Sequence, residues 1–278
     1  MNIQKTKIEP GLYVVSTPIG NLDDISKRQQ EILSSSDYIL CEDTRVTSKL
    51  LNHLNIKKKL ISYHSFNELK KTNDLINDLK ENRILSLVSD AGTPALSDPG
   101  RVIISRCYEE GIKVIPIPGP SAITAAVSVS GFSDNFYFCG FLPKKNKEID
   151  DYLSKIKLIK ASLVFFMPAR DLKKNSEYFL KFFKNTKFLI AREITKIHET
   201  YVRDDTKNLP LYIDKNEKGE MTFIVDNSIE DLVKNIDLDK EIKLLLGKMS
   251  SKDIADYLAK KLEINKKSIY QRVIDLNE

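Results

Sequence analysis

Three stretches of this chain combine residue types suited to holding a small ligand. The densest is Ser89-Asp90-Ala91-Gly92-Thr93-Pro94, continued by Ser97-Asp98-Pro99-Gly100. It follows the apolar run from Ile84 to Val88, which reads as a buried parallel strand, and it precedes a new apolar pattern at Val102, Ile103 and Ile104. A plain strand-to-helix connection needs about 2–6 residues. This one is longer, and it offers hydroxyls, carboxylates and bare backbone amides. Ser16-Thr17-Pro18-Ile19-Gly20-Asn21-Leu22 and Pro118-Gly119-Pro120-Ser121-Ala122 have the same make-up, and each also ends a short apolar run. Loops at the carboxyl ends of strands are where open α/β sheets bind ligands. With no concentrated positive charge, these three suit an uncharged to cationic, nucleoside-like ligand better than a phosphate. Two further strand ends are polar: Cys41-Glu42-Asp43-Thr44-Arg45, and the segment with His64, Ser65, Asn67 and Glu68.

The common alternatives are missing from the sequence. There is no G-x-G-x-x-G and no G-x-x-x-x-G-K-[ST], so neither a Rossmann dinucleotide fingerprint nor a P-loop is available. No G-x-S-x-G elbow is present either. The three histidines, His53, His64 and His198, are scattered, which disfavours a metal enzyme. Cys41, Cys107 and Cys139 are widely spaced and each lies in an apolar pattern, so buried free thiols are expected.

The elements that must position these loops alternate. Strands are expected at residues 12–17, 37–40, 61–63, 84–88 and 112–117, with helices between them, the first from about residue 23 to 33 with acids in its first turn. This is a parallel α/β sheet. A second series follows, with strands near 136–141, 163–167, 188–192 and 221–225 and Lys-rich helices at about 149–159 and 172–183. From about residue 236 the apolar spacing is helical only. Ser250 or Ser251 caps a helix carrying Ile254, Leu258 and Leu262, and Asn265 caps another carrying Ile269, Val273 and Ile274. The expected division is an N-terminal α/β domain at 1–117, a second α/β domain at 118–235 and a helical segment at 236–278.

At 278 residues and 41% hydrophobic, the chain has enough apolar matter for two cores. No apolar run approaches the roughly 20 residues needed to span a bilayer, and residues 1–10 lack an apolar signal core, so no membrane association and a cytoplasmic location are expected. The net charge of +5 is unevenly spread. Residues 141–200 hold 14 Lys and Arg against 7 Asp and Glu, which leaves the remainder of the chain net negative. A local basic patch fits either a polyanionic partner or a solvated lysine-rich surface.

Taken together and in this order, the blocks resemble those of the ribosomal RNA small subunit methyltransferase I family. That family is a branch of the tetrapyrrole-methylase-like class of S-adenosylmethionine methyltransferases. The resemblance rests on the three loops and the Glu42–Arg45 block, and it continues through Gly140-Phe141-Leu142-Pro143-Lys144, Ala191-Arg192-Glu193-Ile194-Thr195-Lys196 with Glu199, and Lys218-Gly219-Glu220-Met221. Tetrapyrrole-acting members usually carry a glycine-rich loop after the first strand. Thr17-Pro18-Ile19-Gly20-Asn21 favours the RNA branch. One block departs: Phe166-Met167-Pro168-Ala169-Arg170-Asp171 stands where the RNA branch commonly shows an aromatic-Glu-Ser/Ala-x-His/Lys-Arg pattern.

The resemblance implies a homodimer of two α/β domains with S-adenosyl-L-methionine in the cleft between them; methyl transfer from a sulfonium needs no metal, and none is expected. It also implies 2′-O-methylation of a cytidine in the decoding region of 16S ribosomal RNA in the small ribosomal subunit. The expected cofactor residues are Pro18, Asp90, Gly92, Thr93, Pro94, Ser97, Asp98, Gly119, Pro120, Ser121 and Ala122, with Met167 and Met221 from the second domain. Methyl transfer from a sulfonium is an in-line displacement governed by positioning in a desolvated pocket. A ribose hydroxyl is a poor nucleophile, so a carboxylate is expected beside it. Glu42, Asp43, Glu68, Glu193 and Glu199 are the candidates, and Arg45, Arg192 and Lys196 are placed to hold phosphate or a developing alkoxide. Lys144, Lys145 and Lys147 are expected on the RNA backbone.

Two other readings are compatible with the residues alone. One is a methyltransferase of a tetrapyrrole or another small metabolite. The other is a nucleoside-sensing regulator whose last two helices read a nucleic-acid groove. Eight acids against nine bases across 236–278 give that second reading little charge to work with.

Overall fold

The computed structural model of the chain describes residues 7–213, 218–228, 238–262 and 266–277. The first sheet is fully parallel, in the order β3-β2-β4-β1-β5, from β1 (Gly11–Val15), β2 (Tyr38–Cys41), β3 (Lys59–Ser62), β4 (Ile84–Val88) and β5 (Val114–Ile117). Alternate side chains face opposite ways along each strand, and both faces are apolar. Leu12, Leu40, Leu85 and Leu87 pack with Leu75, Ile76 and Leu79 of α3 (Glu68–Lys80) and Ile103 and Cys107 of α4 (Arg101–Glu109). Tyr13, Val15, Ile39 and Cys41 pack the other way, on Ile32 and Leu33 of α1 (Lys27–Ser35) and Leu51 of α2 (Thr44–His53). A sheet sandwiched in this way leaves its strand ends as the place where loops gather.

The second sheet is mixed, in the order β6-β7-β10-β8-β9. β6 (Phe136–Phe141) runs parallel to β7 (Ser162–Pro168), while β10 (Glu220–Asp226) is antiparallel to both β7 and β8 (Lys187–Arg192). One face carries Phe165, Phe188 and Phe223 against Ile149 and Leu153 of α6 (Asn146–Ile156) and Phe179 of α7 (Leu172–Phe183). The other face carries Val164, Leu189 and Ile224 against Ile123 and Ala126 of α5 (Ala122–Ser130). The helix that follows the third ligand loop therefore packs on the second sheet.

Two elements differ from the sequence expectation. The first helix begins at Lys27, where Ser26 and Gln29 form a reciprocal capping box; Asp23 and Asp24 lie before it in a 3₁₀ turn. A fifth strand, β9 (Thr200–Asp205), pairs antiparallel with β8. Its composition is polar because it forms a sheet edge with little to bury. Cys139 is half-buried rather than buried, while Cys41 and Cys107 are fully enclosed.

Helices α8 (Leu238–Leu245), α9 (Ser251–Leu262) and α10 (Lys266–Asp275) share a small core of Ile242, Ile254, Ala255, Leu258, Ile269 and Val273. Ser250 caps α9 by accepting the Asp253 N–H at 3.2 Å. The expected Asn265 cap lies outside the described residues. Among the described residues, no helix is long and apolar enough to cross a membrane.

Candidate active site

The β1 and β4 loops are joined at their bases. The Thr17 N–H donates to the Gly92 carbonyl at 2.8 Å and the Gly92 N–H returns to the Thr17 carbonyl at 3.0 Å, a two-residue antiparallel bridge. Thr17 Oγ1 also donates to the Ser89 carbonyl at 3.1 Å, and the Ser16 and Thr93 hydroxyls share a hydrogen bond of 3.1 Å. Gly92 sits at φ +78°, which a side chain resists. The β2 loop is tied in by Asp90, whose carboxylate accepts the Asp43 N–H at 3.0 Å.

The second sheet reaches the same place through the segment after β8. Asn21 N–H donates to Thr195 Oγ1 at 3.0 Å. A Cβ added at Gly20 would stand 2.5 Å from Lys196 Cγ, so the first loop needs glycine for the two halves to touch. Ala95, Ser97, Glu193 and Thr195 all hold left-handed backbone, with φ between 51° and 68°. Such conformations cost about 1–3 kcal/mol each and cluster at functional sites.

Between the sheets lies a cleft of about 330 Å³. Of the residues expected at a cofactor, Asp90, Gly92, Thr93, Ser97, Asp98, Ser121, Ala122, Met167 and Met221 line it. Glu42, Glu193 and Lys196 line it as well. The sequence reasoning missed Ile19, Ala91, Leu96, Ile123, Phe141, Phe166, Ala191, Ile194, Glu220 and Thr222. Phe166 meets Phe138 and Phe141 at ring distances of 5.0 and 5.6 Å, giving the cleft an aromatic wall. Met167, at the position where the RNA branch commonly has glutamate, is 2% exposed and supplies a thioether in place of a charge.

Other expected residues lie outside the lining. Pro18 borders a separate depression that Asp90 also lines. Pro94, Gly119 and Pro120 do not contribute to the cleft surface. Asp43 caps α2 and pairs with Arg45 at 2.6 Å, and the Arg45 side chain is itself 86% exposed. Glu68 opens α3 and accepts the Gly100 N–H at 3.4 Å. Arg192 lines a pocket beside β9, and Glu199 accepts the Thr195 N–H. Lys144 and Lys145 are exposed on the connection that leaves β6 just after the cleft residue Phe141, and Lys147 is exposed in the first turn of α6.

The cleft is electrostatically divided. Burial, reinforced by Glu42, pushes the Asp98 carboxyl up to about 6, with Asp90 and Glu220 adding to the rise and a Ser89 hydrogen bond opposing it. Burial and the neighbouring Asp90 also raise Glu42, and burial raises Asp90. Asp98, Asp90 and Glu42 thus crowd together with Glu220 of β10 within electrostatic reach, an arrangement that a bound positive charge would relieve. Glu193 behaves in the opposite way. Burial works against its charge, but the Lys196 ammonium at 2.8 Å and the Glu220 N–H at 3.2 Å outweigh it and hold the group below the ordinary carboxylate range.

The comparisons with known proteins agree with this architecture. A sequence profile of the tetrapyrrole (corrin/porphyrin) methylases matches residues 11–210. The ribosomal RNA small subunit methyltransferase I of Halalkalibacterium halodurans is 42% identical over 221 residues, covering 79% of this chain and 76% of its own. Its counterpart from Escherichia coli O157:H7 is 36% identical over 272 residues, covering 95% and 94%. Among solved structures, a uroporphyrin-III-C-methyltransferase from Thermus thermophilus superposes with a TM-score of 0.56 at 18% identity, over 78% of this chain and 95% of its own. A diphthine synthase gives 0.59 at 16% identity, over 77% and 88%. The likeness to these two structures is one of fold, whereas the sequence relatives are 36–42% identical over most of the chain: the chain belongs to the tetrapyrrole methylases and, among them, to the ribosomal RNA small subunit methyltransferase I family.

Proposed function

We propose that this methyltransferase binds S-adenosyl-L-methionine in the interdomain cleft and methylates the 2′-oxygen of a cytidine in the decoding region of 16S ribosomal RNA. The observation that carries the reading is the divided cleft. A nucleoside bearing a sulfonium and an ammonium needs an apolar wall for its ring and acids for its charge. Ile19, Phe141, Phe166, Met167 and Met221 supply the first, and Asp90, Asp98 and Glu220 the second. When bound, that cofactor supplies an electrophilic methyl group on a good leaving group.

The protein's task is then to position and to deprotonate. The left-handed segments at Ala95–Ser97 and Glu193–Thr195 hold the two cleft walls in place before any ligand arrives. Glu42 is the cleft carboxylate on the β2 side, and its proton affinity is raised, so we assign it to accept the ribose hydroxyl proton as the oxygen's electron pair forms the new C–O bond. Lys196, anchored by Glu193, stands on the opposite wall as a cation for the developing charge. Tritiated methyl transfer to small ribosomal subunits prepared without the modification, followed by nucleoside analysis, tests the reading. Label on a base, on protein or on an added tetrapyrrole instead of a cytidine 2′-oxygen would overturn it.

Asp98 gives a pH dependence with a defined sign. Its folded-state value lies near 6 against an ordinary 3.8, so the ligand-free protein holds this proton more tightly than the unfolded chain does. The group therefore stabilises the ligand-free fold most below the ordinary value, and that contribution is lost as pH rises through about 6. A cation in the cleft needs the ionised form. Cofactor affinity should fall as pH drops from about 7 to about 5, with proton release on binding in the same window, and Asp98→Asn should flatten the profile. Calorimetry in buffers of different ionisation enthalpy measures both.

RNA binding by the exposed lysines after β6 should be salt-sensitive. If about four phosphates are contacted, the slope of log affinity against log salt is roughly −3, and removing one contacting lysine flattens it by somewhat under one unit. We also read the chain as a homodimer. Phe136, Tyr137 and Phe141 on the edge strand β6 are each at least 44% exposed, more aromatic surface than an isolated sheet edge normally shows to water. Light scattering at micromolar concentration checks the state.

A further inference from the structure

The segment after β3 holds an arrangement that the cofactor cleft does not use. Asn67 closes it into a rigid loop: Asn67 Oδ1 accepts the His64 N–H at 2.9 Å, and Nδ2 donates to the Ser62 carbonyl at 3.2 Å and meets His64 Nε2 at 3.0 Å. The backbone N–H fixes which end of the amide is the oxygen. Nδ2 is then a donor, so Nε2 of the neutral His64 ring accepts and the ring hydrogen lies on Nδ1. Among the described residues, that Nδ1 is buried and has no hydrogen-bond partner. Two residues on, Phe66 is 96% exposed, its ring 6.0 Å from the His64 ring in an edge-to-face arrangement. The loop is fastened at its far end as well, where Glu68 accepts the Gly100 N–H and Lys71 donates to the Ser62 carbonyl at 2.7 Å.

Its place in the fold gives the loop a target. β2 and β3 pair in parallel with Cys41 opposite Ser62, so Glu42 comes level with Tyr63, one residue before His64, where both strands leave the sheet. Glu42 lines the cleft and lies within electrostatic reach of His64. A fully exposed aromatic ring, carried on the loop that starts next to the cleft residue Glu42 and set by a buried donor without an acceptor, matches what single-stranded RNA recognition requires: a face for an unstacked base and a hydrogen bond to one of its polar edges or to its sugar.

We propose that the His64–Glu68 loop is the acceptor-nucleotide site, with an unstacked nucleobase of the substrate RNA on the face of Phe66 and the His64 Nδ1–H donating to the same nucleotide. This rests on the proposed RNA activity, and it assigns the acceptor to the β2–β3 side of the cleft while the cofactor takes the β1, β4 and β5 side.

The chain contains no tryptophan, so Phe66→Trp places a single indole reporter at the site. Its emission should be quenched when single-stranded RNA covering the target is added. Phe66→Ala should raise the KM for undermethylated small subunits by about tenfold or more, the range expected for one base stack, with cofactor affinity by calorimetry unchanged. His64→Phe, which keeps a ring but has no N–H, should lower kcat/KM for RNA about fivefold or more. Indole emission that stays unquenched in Phe66→Trp at saturating RNA, or wild-type KM in Phe66→Ala, overturns the assignment. A shift to monomer in Phe66→Ala also overturns it, since the ring would then belong to an interface between copies. Transfer by the wild-type enzyme is measured separately: its absence removes the RNA activity, whereas quenching reports on the loop whether or not methyl is transferred.

Discussion

Gly119→Val is expected to abolish cofactor binding and to lower the free energy of unfolding by about 2–4 kcal/mol, the sum of a lost cap and a broken buried hydrogen bond. Gly119 does not touch the cleft, so the effect is indirect. A Cβ there would stand 2.1 Å from Gln29 Nε2. Gln29 is fully buried and tied at both ends of its amide: Nε2 donates to the Ser16 carbonyl at 2.6 Å and Oε1 accepts the Ser26 N–H. It cannot swing aside without releasing the capping box of α1 and the first ligand loop together. Thermal melting and calorimetry on one preparation read both losses. Gln29→Ala in the same chain should relieve part of the clash, so the double variant should lose less stability than the two single losses added. Full additivity would show that the two residues do not act on each other.

Gly219→Val is expected to leave the fold intact and to reduce methyl transfer by about 10²-fold or more, the scale of a misplacement near 1 Å at a reacting centre. Gly219 has φ +98° and sits in the exposed turn before β10, where an added Cβ would collide with Glu193 Oε1 at 2.5 Å. Glu193 must then leave the Glu220 N–H and Lys196, and the cation of the cleft loses its anchor. The left-handed backbone adds a strain cost of about 1–3 kcal/mol for any side chain at this position, while the exposed turn buries no packing around it. Steady-state kinetics beside a thermal melt separates the outcomes. A large drop in melting temperature with unchanged kcat would mean that the turn matters for folding and that the Glu193–Lys196 pair does not matter for transfer.

How much of this was legible in the sequence follows from the range of each interaction. The strand-end loops stand out because turn chemistry is local: Gly92, Pro94, Pro99 and Gly119 announce themselves without reference to the rest of the chain. The alternation of buried strands and helices is equally local, and the first sheet matches it. Ala191, Thr222 and Glu220 were out of reach because they come to the cleft only through the antiparallel pairing of β8 with β10, a register that no local pattern specifies. Phe141 and Phe166 stood in strands and in quoted blocks but not among the expected site residues, since an aromatic in a strand looks the same whether it faces a core or a ligand. The misplaced start of α1 is different. Ser26 and Gln29 spell out a capping box in the sequence, but Asp23 and Asp24 carry the same first-turn acid signal three residues earlier, where they form a 3₁₀ turn. For β9, Thr200-Tyr201-Val202-Arg203-Asp204-Asp205 carries too few apolar residues to read as a strand and is held as one by its partner.

The bridge between Thr17 and Gly92 has a consequence for the speed and thermodynamics of ligand capture. Two backbone hydrogen bonds make the β1 and β4 loops one body, so neither can fold over a ligand independently. A pocket already shaped in this way loses little chain entropy on binding. Association of the cofactor should then show a single fast phase with rate linear in concentration, and any slower isomerisation should appear only when RNA is added. Stopped-flow mixing would reveal a saturating rate if the loops instead had to rearrange first.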